Sequence, residues 1–283
     1  MKSAEPLRAS RTAQMVAAYR ARAMESWPQL CQDPWARALA GDEGFEVSRR
    51  FDAAFPHMTL WIAVRTASID RRVSALLDQG VAQVVVLGAG LDSRATRLAR
   101  PGVRFFEVDQ PASSRMKQER VAALGNYPVQ AASYVTCDFD AGEDFLASLL
   151  GAGFEPQEPA IFVWEGVTYY LSEQAVVGTL ERLGQGICAD SVVIFDHFGK
   201  RMIQTERLDG QALDTTRALA NEGEPVKFGV NNPVPMLAEA GFAQVRQDSF
   251  EALCLALTGT YERERMFRFQ WLVQASPARE LLF

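Results

Sequence analysis

VAQVVVLGAGLDS, residues 81–93, reads as a buried strand that empties into a glycine-rich turn. A run of β-branched residues without polar alternation is what a strand covered on both faces looks like. Gly88 and Gly90 supply the backbone freedom for a sharp strand-to-helix turn, and the N-terminus of the next helix offers free N–H groups to a ligand. The motif is GxGxxS, with Ser93 where a dinucleotide fold places a third glycine. Taken alone, the turn also fits a purely geometric role.

Downstream, RFFEVDQ (104–110), ASYVTCDF (132–139), AIFVWEG (160–166) and SVVIFDHF (191–198) repeat the strand pattern. The helical stretches SRATRLA, SSRMKQERVAALG, DFLASLLGAG and EQAVVGTLERLGQG separate or follow them. Successive βα steps with right-handed connections define an α/β, doubly wound, mostly parallel sheet. FAQVRQDSF (242–250) and RMFRFQWLVQAS (265–276) read as two final strands antiparallel to the rest, which makes seven. Upstream, RTAQMVAAYRARAMESW (11–27) and TLWIAVRTASIDRRVSALLDQG (59–80) have helical spacing; Pro28 and Pro34 interrupt, and Gly80 ends the second. The expected organisation of 1–283 is one domain. It comprises an N-terminal helical cap (1–80), a ligand-binding core (81–198), a loop and helix insertion on the acceptor side (199–240), and the final strands (241–283).

Composition narrows the function. The net charge of -6 argues against a nucleic-acid partner, whose phosphates need clustered Lys and Arg. No apolar run is long enough to span a bilayer, and the first residues lack the apolar core of a leader, so a cytoplasmic protein with no membrane partner is expected. Cys31, Cys137, Cys188 and Cys254 are widely spaced, and with only two His in the chain neither a metal site nor a disulfide framework is expected. Oligomeric state is not legible.

The strand ends carry the chemistry. Asp109 stands where nucleoside-binding folds place a carboxylate on the ribose hydroxyls; the bland reading is a solvated carboxylate at the turn before Pro111. Asp138 beside Phe139 suits an adenine edge, while Asp138 or Asp140 would equally serve as an N-cap for DFLASLL. Glu165 ends an otherwise apolar strand, so it needs a cationic or donor partner, such as an ammonium or sulfonium in the cleft. Ser172 is the N-cap of EQAVVGTL.

Taken in order, VVVLGAGLDSRA, FFEVDQP, CDFD and FVWEGVTYYL, preceded by DPWA near residue 33 and VRTASIDRRV, resemble the leucine carboxyl methyltransferase-like family of class I methyltransferases. The resemblance covers about residues 10 to 200. It implies a Rossmann-like fold and S-adenosylmethionine as cofactor. By the same resemblance, Arg65 grips the methionine carboxylate, Gly88 lies under the amino-acid moiety, Asp109 takes the ribose, Asp138 with Phe139 the adenine, and Glu165 is the fourth-strand acid. Tyr170 falls on a tyrosine near methyl transfer. Tyr169 stands where the phosphatase-modifying branch has an apolar residue, so the closer likeness is to the bacterial polyketide carboxyl methyltransferases. The insertion after residue 199 aligns with nothing, which leaves the acceptor a small molecule or a peptide.

In such a reaction the nucleophile attacks the activated methyl in line, without a covalent intermediate. A carboxylate acceptor, with a pKa of about 4, arrives ionised, whereas a phenol wants a base or a metal. The paucity of histidine favours a carboxylate, in natural-product tailoring. His197 in FDHF is the candidate base if the acceptor is a phenol or other hydroxyl. Carboxylate capture falls to Tyr169 and Tyr170, then Arg201 and Arg20. Met15, Tyr19, Met24 and Trp27 are either a lid over the site or core. Two readings from other classes stay open: an NAD-dependent oxidoreductase, against which Ser93 and Asp138 stand, and a non-catalytic nucleoside-binding protein.

Overall fold

The structure is a computed structural model that describes residues 11–208, 210–260 and 265–281. The first ten residues, read above as lacking a leader's apolar core, lie outside the described residues. Three helices come first: α1 (Arg11–Ser26), α2 (Ala36–Phe51) and α3 (Met58–Asp78). Pro28 follows α1 closely, and Gly80, with φ +90°, terminates α3 in the left-handed region. Helix α2 was not anticipated; it is bent at Gly41 (φ 61°, ψ 178°), which breaks the helical period. Met15 and Tyr19 of α1, Phe51 of α2, and Trp61, Ile62 and Val73 of α3 join Val84, Ile161 and Ile194 of the sheet in one apolar cluster. The cap and one face of the sheet therefore share a core.

The strands are β1 (Gln83–Leu87), β2 (Arg104–Asp109), β3 (Ser133–Thr136), β4 (Ala160–Trp164), β5 (Val192–Phe198), β6 (Gln244–Ser249) and β7 (Gln270–Ser276). They form a seven-stranded sheet of order β3-β2-β1-β4-β5-β7-β6. Every residue of β1, β4 and β5 is buried, as the unalternated apolar runs require. Between the strands lie α4 (Arg94–Arg97), α5 (Pro111–Ala123), α6 (Phe145–Gly151) and α7 (Glu173–Gly186). After β5 come α8 (Gly210–Asn221) and α9 (Val234–Glu239), then α10 (Phe250–Thr258) and α11 (Arg265–Arg268) between β6 and β7. Phe106, Phe162, Phe195 and Trp164 are fully buried in the sheet layers, each worth roughly 1.5–3 kcal/mol or more of transfer free energy. No helix among the described residues is long and apolar enough to cross a membrane.

Two strand expectations need correction. Only β7 is antiparallel, to both β5 and β6, so β6 runs with the parallel set. The stretch Arg265–Arg268 is helical instead of strand, because it buries the adjacent Met266 and Phe267 together. The sheet reverses its winding between β1 and β4, and ligands in such folds bind outside the strands' carboxyl ends at that switch point.

Candidate active site

A cleft of about 890 Å³ opens at the switch point, within the roughly 300–1,000 Å³ typical of small-molecule sites. Gly88 (φ +64°) and Gly90 (φ +49°) shape the turn after β1. A Cβ on Gly88 would stand 2.5 Å from the Val167 side chain, so the turn and the loop after β4 approach closely because no side chain intervenes. Asp109 ends β2 at the cleft, and its carboxylate accepts from the Gly90 N–H at 2.5 Å and the Gln110 N–H at 2.7 Å. Burial pushes its pKa up, and the two N–H groups oppose that without cancelling it.

At the end of β3, Phe139 and Asp140 line the cleft. The Asp138 side chain instead holds its own loop, where Oδ1 accepts from the N–H groups of Asp140 (3.1 Å) and Ala141 (3.2 Å). Neither aspartate caps α6; Asp144 does, accepting from Leu146 and Ala147 N–H. Ser172 caps α7 through the Ala175 N–H.

The floor is a buried ion-pair network. Glu165 lies 2.7 Å from Arg65 Nε and 2.5 Å from Arg94 Nη2, and all three side chains are less than a tenth exposed. Burial works to raise the Glu165 pKa, but Arg94 and Arg65 outweigh it and hold the carboxyl below the usual glutamate range. Arg94 pairs in turn with Asp92 and Asp70, and Arg65 Nη1 sits 3.3 Å from Asp196 Oδ2 and 3.2 Å from the Tyr169 hydroxyl. Asp196 also accepts from the Gly166 N–H (2.6 Å) and from Gln270 Nε2 (2.5 Å). Its carbonyl accepts from the Thr168 hydroxyl at 2.6 Å, so β5 holds the β4 loop at several points. Behind this, Arg20 pairs with Asp33, the acid of the DPWA element.

Arg65, Gly88, Gly90, Asp109, Phe139, Glu165, Tyr169 and Tyr170 all line the cleft; Asp138 does not. Arg94, Asp70 and Asp196 were missed. The signal for Arg94 was a cation beside a buried turn, and for Asp196 a carboxylate in an apolar strand, the same argument that singled out Glu165. The expectation for His197 is corrected. Strand side chains alternate, so Asp196 and His197 face opposite sides of β5, and Asp196 holds the side of Arg65 and the β4 loop. His197 is fully buried, stacks on Trp271 at 5.6 Å, lies 3.3 Å from Gln247 Nε2, and is absent from the cleft. Burial takes its pKa down to about 4. Arg201 is also corrected; it is exposed, donates to the Arg207 carbonyl and lies outside the cleft. Arg20 lines the cleft but is bound to Asp33 and the Leu91 carbonyl. On α1, Met15 and Tyr19 are fully packed, Trp27 packs against the same core, and Met15, Val16 and Arg20 wall the cleft.

The sheet order, the glycine turn and the strand-end acid at the switch point together define a class I methyltransferase fold. A DUF574 family protein of Streptomyces avermitilis shares this fold at 14% identity and TM-score 0.63, with 95% of this chain and 97% of that one covered. A Thermobifida fusca protein, assigned by inference as a methyltransferase, does so at 12% identity and TM-score 0.64, with 95% and 96% covered. The sequence model of the leucine carboxyl methyltransferase family matches residues 13–184, and the chain belongs to that family. Among its relatives is a Mycolicibacterium vanbaalenii protein 29% identical over 273 residues, 91% of this chain and 86% of that one. A Mycobacterium tuberculosis protein is 32% identical over 240 residues, 78% and 75%. Both carry the name S-adenosyl-L-methionine-dependent methyltransferase by inference.

Proposed function

We propose that this protein transfers a methyl group from S-adenosylmethionine to a carboxylate oxygen of a small acceptor, in line and without a covalent intermediate. The observation that carries the choice of oxygen is the position of His197: neither it nor His57 lines the cleft. With no imidazole there to take a proton, the acceptor that fits is one already ionised at neutral pH. The bound cofactor supplies a methyl activated on a sulfonium sulfur.

The residues present fit that cofactor. Asp109, half-buried at the cleft and held among the described residues by the Gly90 and Gln110 N–H groups, is placed to accept ribose hydroxyls. Phe139 offers an apolar wall for the adenine, with the Asp140 carboxylate beside it at the cleft. Glu165, kept ionised by two guanidinium groups, supports a cationic amine. Arg65 has five N–H donors, and among the described residues Glu165, Asp196 and Tyr169 engage its Nε and Nη1, which leaves Nη2 for the methionine carboxylate. The Tyr169 phenol, held protonated by burial and by the field of Asp196, and the neighbouring Tyr170 are the donors that orient the acceptor oxygen. We place the reaction in natural-product tailoring, on the strength of Tyr169 standing where the phosphatase-modifying branch is apolar.

The test is methyl-labelled S-adenosylmethionine with a panel of organic acids, followed by mild alkali. A methyl ester releases its label as methanol. Transfer of an alkali-stable label would instead identify a hydroxyl acceptor and overturn the carboxylate reading.

A further inference from the structure

An anionic acceptor needs a cation, and the two tyrosines assigned to its oxygen are neutral phenols. Among the described residues four cations line the cleft: Arg11, Arg20, Arg65 and Lys227. Arg20 is buried and bound to Asp33 and the Leu91 carbonyl, and Arg65 serves Glu165, Asp196 and Tyr169. Arg11 is shared between Glu222 at 3.0 Å and Glu43 at 3.4 Å. Lys227 is held more loosely. Its Nζ pairs with Asp140 at 3.2 Å, and the two side chains are 46% and 36% exposed. A pair so open to water contributes little and is readily exchanged.

The main chain fixes where that ammonium can reach. The N–H groups of Lys227 and Phe228 both donate to the Tyr169 carbonyl, at 2.8 and 3.3 Å. The root of the Lys227 side chain is thereby held against the Tyr169–Tyr170 pair, whose rings meet at 4.6 Å. Earlier on the same segment stands Glu224, a cleft residue whose negative field reaches both Tyr170 and Asp109. An acid entering here meets that field, so a cation on the same segment decides whether it stays.

Asp140 also accepts from the Ser172 N–H at 3.1 Å, and it lies beside Phe139, against which the adenine is placed. Burial works to raise its pKa, but the Ser172 N–H and Lys227 outweigh it and keep the carboxyl ionised. Adenine carries an exocyclic amine that can donate to such a carboxylate in place of the ammonium.

We infer that Lys227 anchors the acceptor's carboxylate, released to it from Asp140 when the adenine amine takes that aspartate, so that the acid binds after the cofactor. The inference rests on the methyltransferase reading of the cleft. Transfer turns the anion into a neutral ester, on which the ammonium loses its hold, and this favours product release. Lys227 therefore acts on acceptor affinity and on the choice of an acid over an alcohol.

The chain has four lysines, Lys2, Lys117, Lys200 and Lys227, so magnetic resonance of the full chain labelled isotopically at the lysine Cε gives few signals. Lys227→Arg identifies the one that matters, and Lys200, outside the cleft, is the internal reference. S-adenosylhomocysteine should shift the Lys227 signal and leave Lys200 in place; benzoate or octanoate added next should shift it again. Calorimetry on the saturated protein then compares each acid with its alcohol, benzyl alcohol or octanol. In the wild type at least one acid binds about fivefold tighter than its alcohol, the upper end for an ion pair open to water. Lys227→Gln removes that preference and Lys227→Arg keeps it, while S-adenosylhomocysteine affinity stays within about threefold in both. A Lys227 signal unmoved by S-adenosylhomocysteine, acids that bind no tighter than their alcohols, or a preference that survives Lys227→Gln would overturn the anchor while leaving the methyltransferase reading intact. Failure to bind S-adenosylhomocysteine at all would overturn both.

Discussion

Asp109 sets the acid limit of cofactor affinity. Burial raises its pKa, and the ionised form is the one that accepts ribose hydroxyls. Binding therefore selects the deprotonated state: affinity is constant above the raised pKa and falls about tenfold per pH unit below it. Glu165 does not share this limb, since its pKa is depressed; its contribution to stability is present above the ordinary glutamate range and lost only as pH falls through the lower folded value. Calorimetry with S-adenosylhomocysteine from pH 7 downward should show the limb at higher pH than an ordinary aspartate gives. Asp109→Asn should flatten it and weaken binding at pH 7 by at least about tenfold, the loss of one charge-assisted hydrogen bond. His197 makes the opposite kind of prediction. Removing a general base costs about 10²–10⁴ in rate, yet His197→Gln should leave kcat within about threefold because the ring is outside the cleft. Its effect belongs to stability. With a folded pKa of about 4 against about 6.5 unfolded, the unfolded chain binds more protons in that window. Stability at neutral pH thus erodes by up to about 3 kcal/mol as pH falls from 6.5 towards 4, and the variant should lack that slope in urea titrations. The sequence marked FDHF as functional and settled on the wrong member, because histidine is the familiar base and the period of two that exposes Asp196 to Arg65 was not applied.

Helix α7 shows what the element scale adds. Gly184 lies near its C-terminal end, where a Cβ would overlap the Ala240 carbonyl oxygen just past α9. The two segments meet backbone to backbone, and Phe242 packs in the same core cluster. Gly184→Ala must push a main chain aside, so it should destabilise the fold by about 3 kcal/mol in denaturant titrations. The cleft lies beyond the other end of α7, so S-adenosylhomocysteine affinity of the folded fraction should be unchanged; a matching loss of affinity would show that α7 carries strain to the site. The first five strands were legible because each is a local apolar run with a turn beside it. Helices α2 and α10 were not: Gly41 breaks the period of the first, and the second follows β6 under a Ser249 cap in a stretch read only for its strand. The direction of β6 had no local signal at all, since it follows from β7 inserting between β5 and β6. Arg94 was passed over for a related reason. Its partners Asp70, Asp92 and Glu165 come from α3, the β1 turn and the β4 end, and only the fold brings them together.

At the scale of the whole molecule, the helical cap and the sheet answer to one cofactor. The cleft is walled by α1, α3 and α8 as well as by the strand ends, and α1 and α3 share a core cluster with β1, β4 and β5. Arg11 of α1 also pairs with Glu222, just past α8, at 3.0 Å, and Arg50 of α2 reaches the same carboxylate at 3.5 Å. A cap joined in this way should melt together with the sheet, in one transition. A ligand that binds only the folded chain stabilises it by RT ln(1 + [L]/Kd), about 2.7 kcal/mol at a hundredfold excess over Kd. For a chain of this size each kcal/mol moves Tm by roughly 2–4 °C, so S-adenosylhomocysteine should raise Tm by about 5–10 °C. NAD at the same concentration should leave Tm unmoved, because Ser93 occupies the position of the third glycine that a dinucleotide pyrophosphate needs. Scanning calorimetry in the presence of each ligand decides both points. A shift with NAD alone would return the cleft to the oxidoreductases. Two transitions, with S-adenosylhomocysteine moving only the upper one, would make α1 to α3 a separately melting body and break the link between the shared core and the site.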